Sequence, residues 1–169
     1  MLSAERAAQM RKAPVHLRAC AQGAEAGWGD LLENDAVDLY ATAGFRPIAK
    51  RLYADSGLSP ADIDVVQLYE NFDAQGIMSL IDHGLCDYAN VAEVVQFDNL
   101  IAQGGKLPVN TAGGNMAQGF IHGIGLAVEA VRQLRGESAN PVDGARTCLL
   151  AGGPGAPTVS SAIFANRLD

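Results

Sequence analysis

The sequence predicts a layered α/β domain, a mixed β-sheet covered by helices. Three observations lead there. Strand-like and helix-like patterns alternate along 169 residues in the order β–α–β–α–β–α–β–β. The last two apolar runs, Thr147–Ala151 and Thr158–Ala165, are separated only by the turn Gly152-Gly153-Pro154-Gly155. A connection that tight suits an antiparallel pair. The runs ending at Tyr69 and at Asn110 stop abruptly at polar, aromatic or Gly residues, as buried strands do when they hold chemically able groups at their tips.

Taken in order, residues 2–11 read as a short helix. From Pro14 to Cys20, Val15, Leu17 and Ala19 alternate with His16, Arg18 and Cys20, the period of a half-buried strand. Residues 21–37, acidic and Gly-rich with Trp28, read as a loop. Leu39, Ala43, Ile48 and Leu52 place a helix over about 38–56. Ser59-Pro60-Ala61-Asp62 is a helix-start signal with room for one turn before a strand at 64–69. Asp73 is expected to cap a helix over about 74–83 that Gly84 ends. Residues 87–106 are weakly patterned. Leu107–Asn110 reads as a short strand entering a Gly-rich turn, and 118–135 as the clearest helix, closed by Arg132, Arg135 and Gly136. Residues 137–144 read as a polar loop. No internal repeat is visible.

Composition narrows the function classes. Hydrophobic residues make up 49% of the chain, enough for one core and too many for a disordered segment. The formal charge is −7 and Lys and Arg form no cluster, which argues against nucleic acid as a partner. Arg46, Lys50 and Arg51 offer a local basic patch for an anionic cofactor. Three widely spaced cysteines, Cys20, Cys86 and Cys148, contain no CxxC, so no metal ribbon or disulfide framework is expected. Reduced thiols and a cytoplasmic location are the expectation. Glu5 and Arg6 stand where a signal peptide needs an apolar run, and no run approaches the ~20 residues of a membrane span.

The candidate chemistry lies at the strand ends. By periodicity alone Tyr69 is a core tyrosine with a hydrogen-bonded hydroxyl. As a general acid or base it would need assistance, because a phenol ionises near pH 10. His122 sits among Gly119, Gly123 and Gly125, which permit close backbone approach. His16 and His83 read as structural. The turns Asn110-Thr111-Ala112-Gly113-Gly114-Asn115 and Gly152-Gly153-Pro154-Gly155 are either ordinary turns or backbone cradles for an oxyanion. No Walker A sequence occurs, and Gly123-Ile124-Gly125 is too short to be a dinucleotide fingerprint.

At these residues the chain resembles the C-terminal half of the thiolase superfamily, in its sterol-carrier or lipid-transfer branch. The anchors are Leu58–Val66, Tyr69-Glu70-Asn71-Phe72, Leu107–Gly114, His122-Gly123, Val128–Gly136 and Gly152-Gly153-Pro154-Gly155. The resemblance implies the C-terminal half of the αβαβα thiolase fold, with residues 1–169 as one domain and the N-terminal half absent. Tyr69 to Phe72 occupy the place of the NEAF motif of thiolases proper and of HDCF in their sterol-carrier relatives. Gly119-Phe120-Ile121-His122-Gly123 falls at their GHPxG motif, with Phe120 at the catalytic His. Their second catalytic Cys corresponds to about Leu149, with Cys148 adjacent but out of register. Thiolase-like aldolases of steroid side-chain breakdown carry Tyr at both places, the second followed by His-Gly; here those are Tyr69 and Phe120.

The resemblance thus implies retro-aldol cleavage of a β-hydroxyacyl-CoA, with Tyr69 and His122 as catalytic residues. Substrate would be bound around Asn71, Phe72, Asn110, Gly113, Gly114, Asn115, Phe120, Gly123, Gly152, Gly153 and Gly155. Coenzyme A enters as the substrate's carrier, with no tightly bound cofactor and no metal. The implied partners are a further copy of the chain, a thiolase N-terminal half and a small zinc-ribbon/OB-fold protein. Two alternatives stand beside it: a degenerate acyltransferase half whose nucleophile lies on another chain, and a non-catalytic lipid-binding or assembly module.

Overall fold

The computed structural model describes residues 1–25 and 42–168. The expected loop over 26–37, Trp28 included, and the first four positions of the helix expected from 38 lie outside them. The elements run α1 (Ala4–Ala8), β1 (His16–Gly23), α2 (Arg46–Ser56), β2 (Val65–Leu68), α3 (Asp73–Asp82), α4 (Val91–Val94), α5 (Phe97–Leu100), α6 (Gly114–Ala117), α7 (Ile124–Leu134), β3 (Thr147–Gly152) and β4 (Val159–Ala165). They build a four-stranded mixed sheet in the order β1-β4-β3-β2. β2 and β3 are parallel; β4 is antiparallel to both β3 and β1. The closing hairpin is therefore present.

Strand alternation divides the core between the two sheet faces. Val66, Leu68, Leu149, Ala151, Val159 and Ile163 pack with Phe45, Ile48 and Leu52 of α2 and its entry and with Leu80 of α3. Val65 and Cys148 point the other way and meet Ala130 and Leu134 of α7. Helix α7 lies over β2 and β3 and reaches part of β4, where Phe164 packs against its cluster; further along the same face Cys20 and Gln22 of β1 and Ser160 of β4 are exposed. The result is a helix–sheet–helix sandwich with one layer incomplete.

Several boundaries differ from the sequence expectation. Strand β1 runs three residues past Cys20, and a bulge between Leu17 and Ala19 breaks its alternation. Leu17 is accordingly 40% exposed, while Ala19 and Ala21 are buried. Helix α2 begins at Arg46 rather than 38, with Pro47 inside its first turn. The Asp82 carboxylate accepts hydrogen bonds from the amides of Ala43 and Phe45 and from the Thr42 hydroxyl, which holds residues 42–45 out of the helix. Asp73 is the first helical residue of α3; the capping position is Phe72, without a side-chain cap. Leu107–Asn110 makes a single bridge, Val109 to Val66, instead of a full strand. The long helix starts at Ile124, because Gly119, His122 and Gly123 all take positive φ (140°, 52° and 81°) and cannot continue a right-handed helix. The Ser59 signal holds: Asp62 Oδ2 accepts from the Ser59 amide (2.8 Å) and hydroxyl (2.6 Å), around one 3₁₀ turn, Pro60–Asp62.

Candidate active site at the tip of strand β2

Tyr69 follows β2 directly. Its amide still bonds the Ala151 carbonyl of β3 at 2.9 Å, so the sheet fixes its backbone. Alternation from Val65 and Gln67 turns its side chain to the face that carries α7. There it borders an open cleft of about 760 Å³. The walls are the start of α7 (His122, Gly123, Ile124, Leu126, Ala127), the end of β3 with Gly152-Gly153, and the uncovered parts of β1 and β4, including Cys20, Gln22, Ser160 and Ala162. Tyr69, His122, Gly123, Gly152 and Gly153 thus share one cavity.

The rings pack closely. Tyr69 and Phe120 meet edge to face at 6.0 Å between centroids, and Phe120 and His122 at 4.9 Å. Phe120 stands between the two polar rings and is 56% exposed. Gly123 is required by this arrangement: besides its positive φ, a Cβ there would lie 2.9 Å from Tyr69 Cδ2. The His122 turn can approach the tyrosine only because position 123 has no side chain.

The other expected residues fall elsewhere. Gly113 and Gly114 are outside the cleft lining; Gly113 sits against Ala117, and an added Cβ on Gly114 would collide with the Glu70 carboxylate. Glu70 in turn accepts from the Met116 amide at 3.0 Å and from Asn115 Nδ2 at 3.3 Å. Asn110 serves β2: its Oδ1 accepts from the Leu68 amide (2.7 Å) and its Nδ2 donates to the Leu68 carbonyl (3.1 Å). A side-chain amide here replaces a strand neighbour one residue before Tyr69. Asn71 and Phe72 are exposed on the turn after β2, outside the cleft lining. Gly155 is buried and donates to the Ala43 carbonyl, tying the β3–β4 turn to the entry of α2.

Cys148 is fully buried under α7. Desolvation, followed by the Glu129 and Asp64 charges, pushes its thiol far above the ordinary range. It is an inert core thiol. His83 is likewise buried, its ring bonded to the Ser79 carbonyl (2.7 Å) and the Ser161 hydroxyl (2.9 Å), and desolvation lowers its pKa to about 4. No group of three or more His, Cys, Asp and Glu able to hold a metal occurs among the described residues. No helix among them is long and apolar enough to cross a membrane.

Sequence reasoning missed Glu70 and a buried polar cluster behind the site: Gln67, Thr111, Glu129 and Gln133. The signal was present. The buried stripe of α7 is Leu126, Glu129, Ala130, Gln133 and Leu134, so two polar residues occupy core positions of an amphipathic pattern.

Comparison with known proteins agrees with this architecture. The chain is 35% identical over 156 residues to a 17-hydroxy-3-oxo-4-pregnene-20-carboxyl-CoA lyase of Mycobacterium tuberculosis, covering 92% of this chain and 40% of that protein. It is 30% identical to a steroid side-chain-cleaving aldolase of Thermomonospora curvata, covering 99% of this chain and 42% of the relative. Among solved structures, the Ltp2-ChsH2(DUF35) aldolase superposes with a TM-score of 0.90 at 32% identity, over 98% of this chain and 43% of that one. The chain therefore spans about two fifths of the length of these relatives. Residues 29–166 match the thiolase C-terminal domain-like family, and with that coverage the chain belongs to that family.

Proposed function

We propose that this chain is the C-terminal half of a thiolase-like aldolase that cleaves a β-hydroxyacyl-CoA thioester. The observation that carries the reading is the shared cleft: Tyr69 at the end of β2 faces the His122 turn at the start of α7. The two relatives, a carboxyl-CoA lyase and a side-chain-cleaving aldolase by name, point to the same reaction class.

In the reaction, Tyr69 enters as the phenolate, its Oη takes the proton of the substrate's β-hydroxyl, and the phenol so formed is the source of the proton that returns to Cα. The Cα–Cβ bond breaks as the C–O bond becomes a carbonyl. Its electron pair moves to Cα and into the thioester, giving an enolate that a proton later quenches at Cα. The enolate oxygen is assigned to amides of the Gly152-Gly153 turn, which lines the cleft. His122 donates a hydrogen bond to the reacting oxygens. The exposed sheet face beside the cleft is the docking place of an N-terminal half, and a small zinc-ribbon/OB-fold chain completes the enzyme.

The test is turnover of a β-hydroxyacyl-CoA by the chain alone and co-expressed with an upstream half. Activity is expected only in the assembly, and Tyr69→Phe should remove most of it. Equal turnover alone and assembled, or full activity in Tyr69→Phe, would sink the proposal. A binding-module reading is favoured by one observation, Phe120 in the place where related aldolases have a second tyrosine. It becomes the better reading if the assembly binds acyl-CoA without turning it over.

A further inference from the structure

Behind the cleft lies a polar cluster in a place built for apolar side chains. Glu129, on the inner face of α7, is 2% exposed. Its Oε1 accepts from the Thr111 hydroxyl (2.7 Å), the Ser138 hydroxyl (2.7 Å) and Gln133 Nε2 (2.9 Å). Thr111 Oγ1 also accepts from Gln67 Nε2 of β2 (3.1 Å) and from Gln133 Nε2 (2.8 Å). Asn140 Nδ2 donates to the Thr111 carbonyl at 3.1 Å. Such a cluster holds geometry better than apolar packing does. Each bond has a direction, and a buried partner left unpaired is costly.

Its connections run to both sides of the candidate site. On one side Thr111 adjoins Asn110, whose side chain holds both backbone groups of Leu68, the residue before Tyr69. On the other side Glu129 sits in the helix that begins directly after His122 and Gly123. Glu129 therefore ties the tip of β2 to the start of α7. We infer that Glu129, acting through the Thr111 hydroxyl, is a positioning residue that sets Tyr69 against the His122 turn. The role is stated for the reaction proposed above, although the positional link itself exists without turnover.

The test uses the full chain with Thr111→Val, Thr111→Ser, Glu129→Ala and Glu129→Gln. Valine keeps the shape of threonine and loses the hydroxyl; serine keeps the hydroxyl. Amide hydrogen exchange on the chain alone reads the link. Thr111→Val and Glu129→Ala should speed exchange at Leu68–Tyr69 and Asn110–Gly113 by about 10- to 100-fold relative to the β4 amides, the loss expected for a buried bond to a charged group. Thr111→Ser and Glu129→Gln should stay within about threefold of wild type, because hydroxyl and acceptor are retained. If Glu129→Ala does not fold, the Thr111 pair decides. In the assembled enzyme Thr111→Val should lower kcat by about tenfold or more with KM within about twofold, the signature of misplaced reacting groups. Acceleration spread evenly over all elements, valine behaving like serine, or a local acceleration with unchanged kcat would overturn the inference. Local acceleration in a chain whose wild-type assembly shows no turnover would uphold the link and overturn the aldolase reading instead.

Discussion

At the residue scale, Phe120 offers a direct test of the proposed aldolase reading. Its ring lies 6.0 Å from Tyr69 and 4.9 Å from His122, centroid to centroid. A phenol on that ring would place a donor beside the charge that develops as the C–C bond breaks. In the assembled enzyme Phe120→Tyr should therefore raise retro-aldol turnover, by up to about 10²-fold if the hydroxyl meets the reacting oxygen. Steady-state kinetics on one β-hydroxyacyl-CoA measure this, and a rate that stays flat or falls refutes a vacant donor position. Cys148 offers no substitute nucleophile, because it lies under α7 with its ionisation suppressed.

At the scale of elements, the end of α3 is pinned to the sheet by His83, which bridges the Ser79 carbonyl and the Ser161 hydroxyl of β4. Its pKa is lowered from 6.5 to about 4 by burial. Between those values the unfolded chain takes up a proton that the folded chain refuses. Stability from this group is therefore complete above about pH 6.5, falls as pH drops toward 4, and is level below; the total is about 3 kcal/mol. The neighbouring Asp82 acts in the opposite sense, since desolvation raises its pKa and the fold takes up its proton first. Denaturant unfolding of wild type and His83→Gln at several pH values between 7.5 and 4.5 separates the two. The variant should show a clearly shallower loss, and parallel curves would exclude the imidazole as the source.

At the scale of the molecule, four of the exposed apolar side chains, Phe120, Ile121, Ile124 and Val128, gather at the entry and along α7, and Ile124 borders the cleft beside the exposed face of β1. If an N-terminal half covers that face, Ile124→Glu would bury an unpaired charge on assembly. It should weaken association with the upstream half at least about tenfold. The melting temperature of the chain alone should move by no more than about 4 °C, as for other surface changes. Quantitative pull-down and a thermal scan check the two arms; undiminished association would place the partner elsewhere.

The sequence by itself determined the layered α/β class, the Ser59 turn, the closing hairpin and the strand that ends at Tyr69. Each of these is written in a local period or in a turn residue, and local patterns survive into the fold when nothing distant opposes them. It also singled out Tyr69 and His122 as candidates, through their setting among strand ends and glycines and through the thiolase resemblance, and both border one cleft. Tertiary structure alone decided the rest. The long helix begins at Ile124 because the His122 turn must bend to meet Tyr69, and Gly123 lets it. Gly113 and Gly114 lie outside the cleft, in a turn whose Gly114 packs on the Glu70 carboxylate and whose Met116 amide donates to it. Asn110 proved to be a strand neighbour in disguise, bonded to a residue 42 positions earlier. Helical spacing could have marked Glu129 and Gln133 as core-facing, but no period could say that Thr111 would meet them. Hydrogen bonds between distant elements depend on which surfaces the fold brings within 3 Å, and one-dimensional periodicity holds no record of that distance.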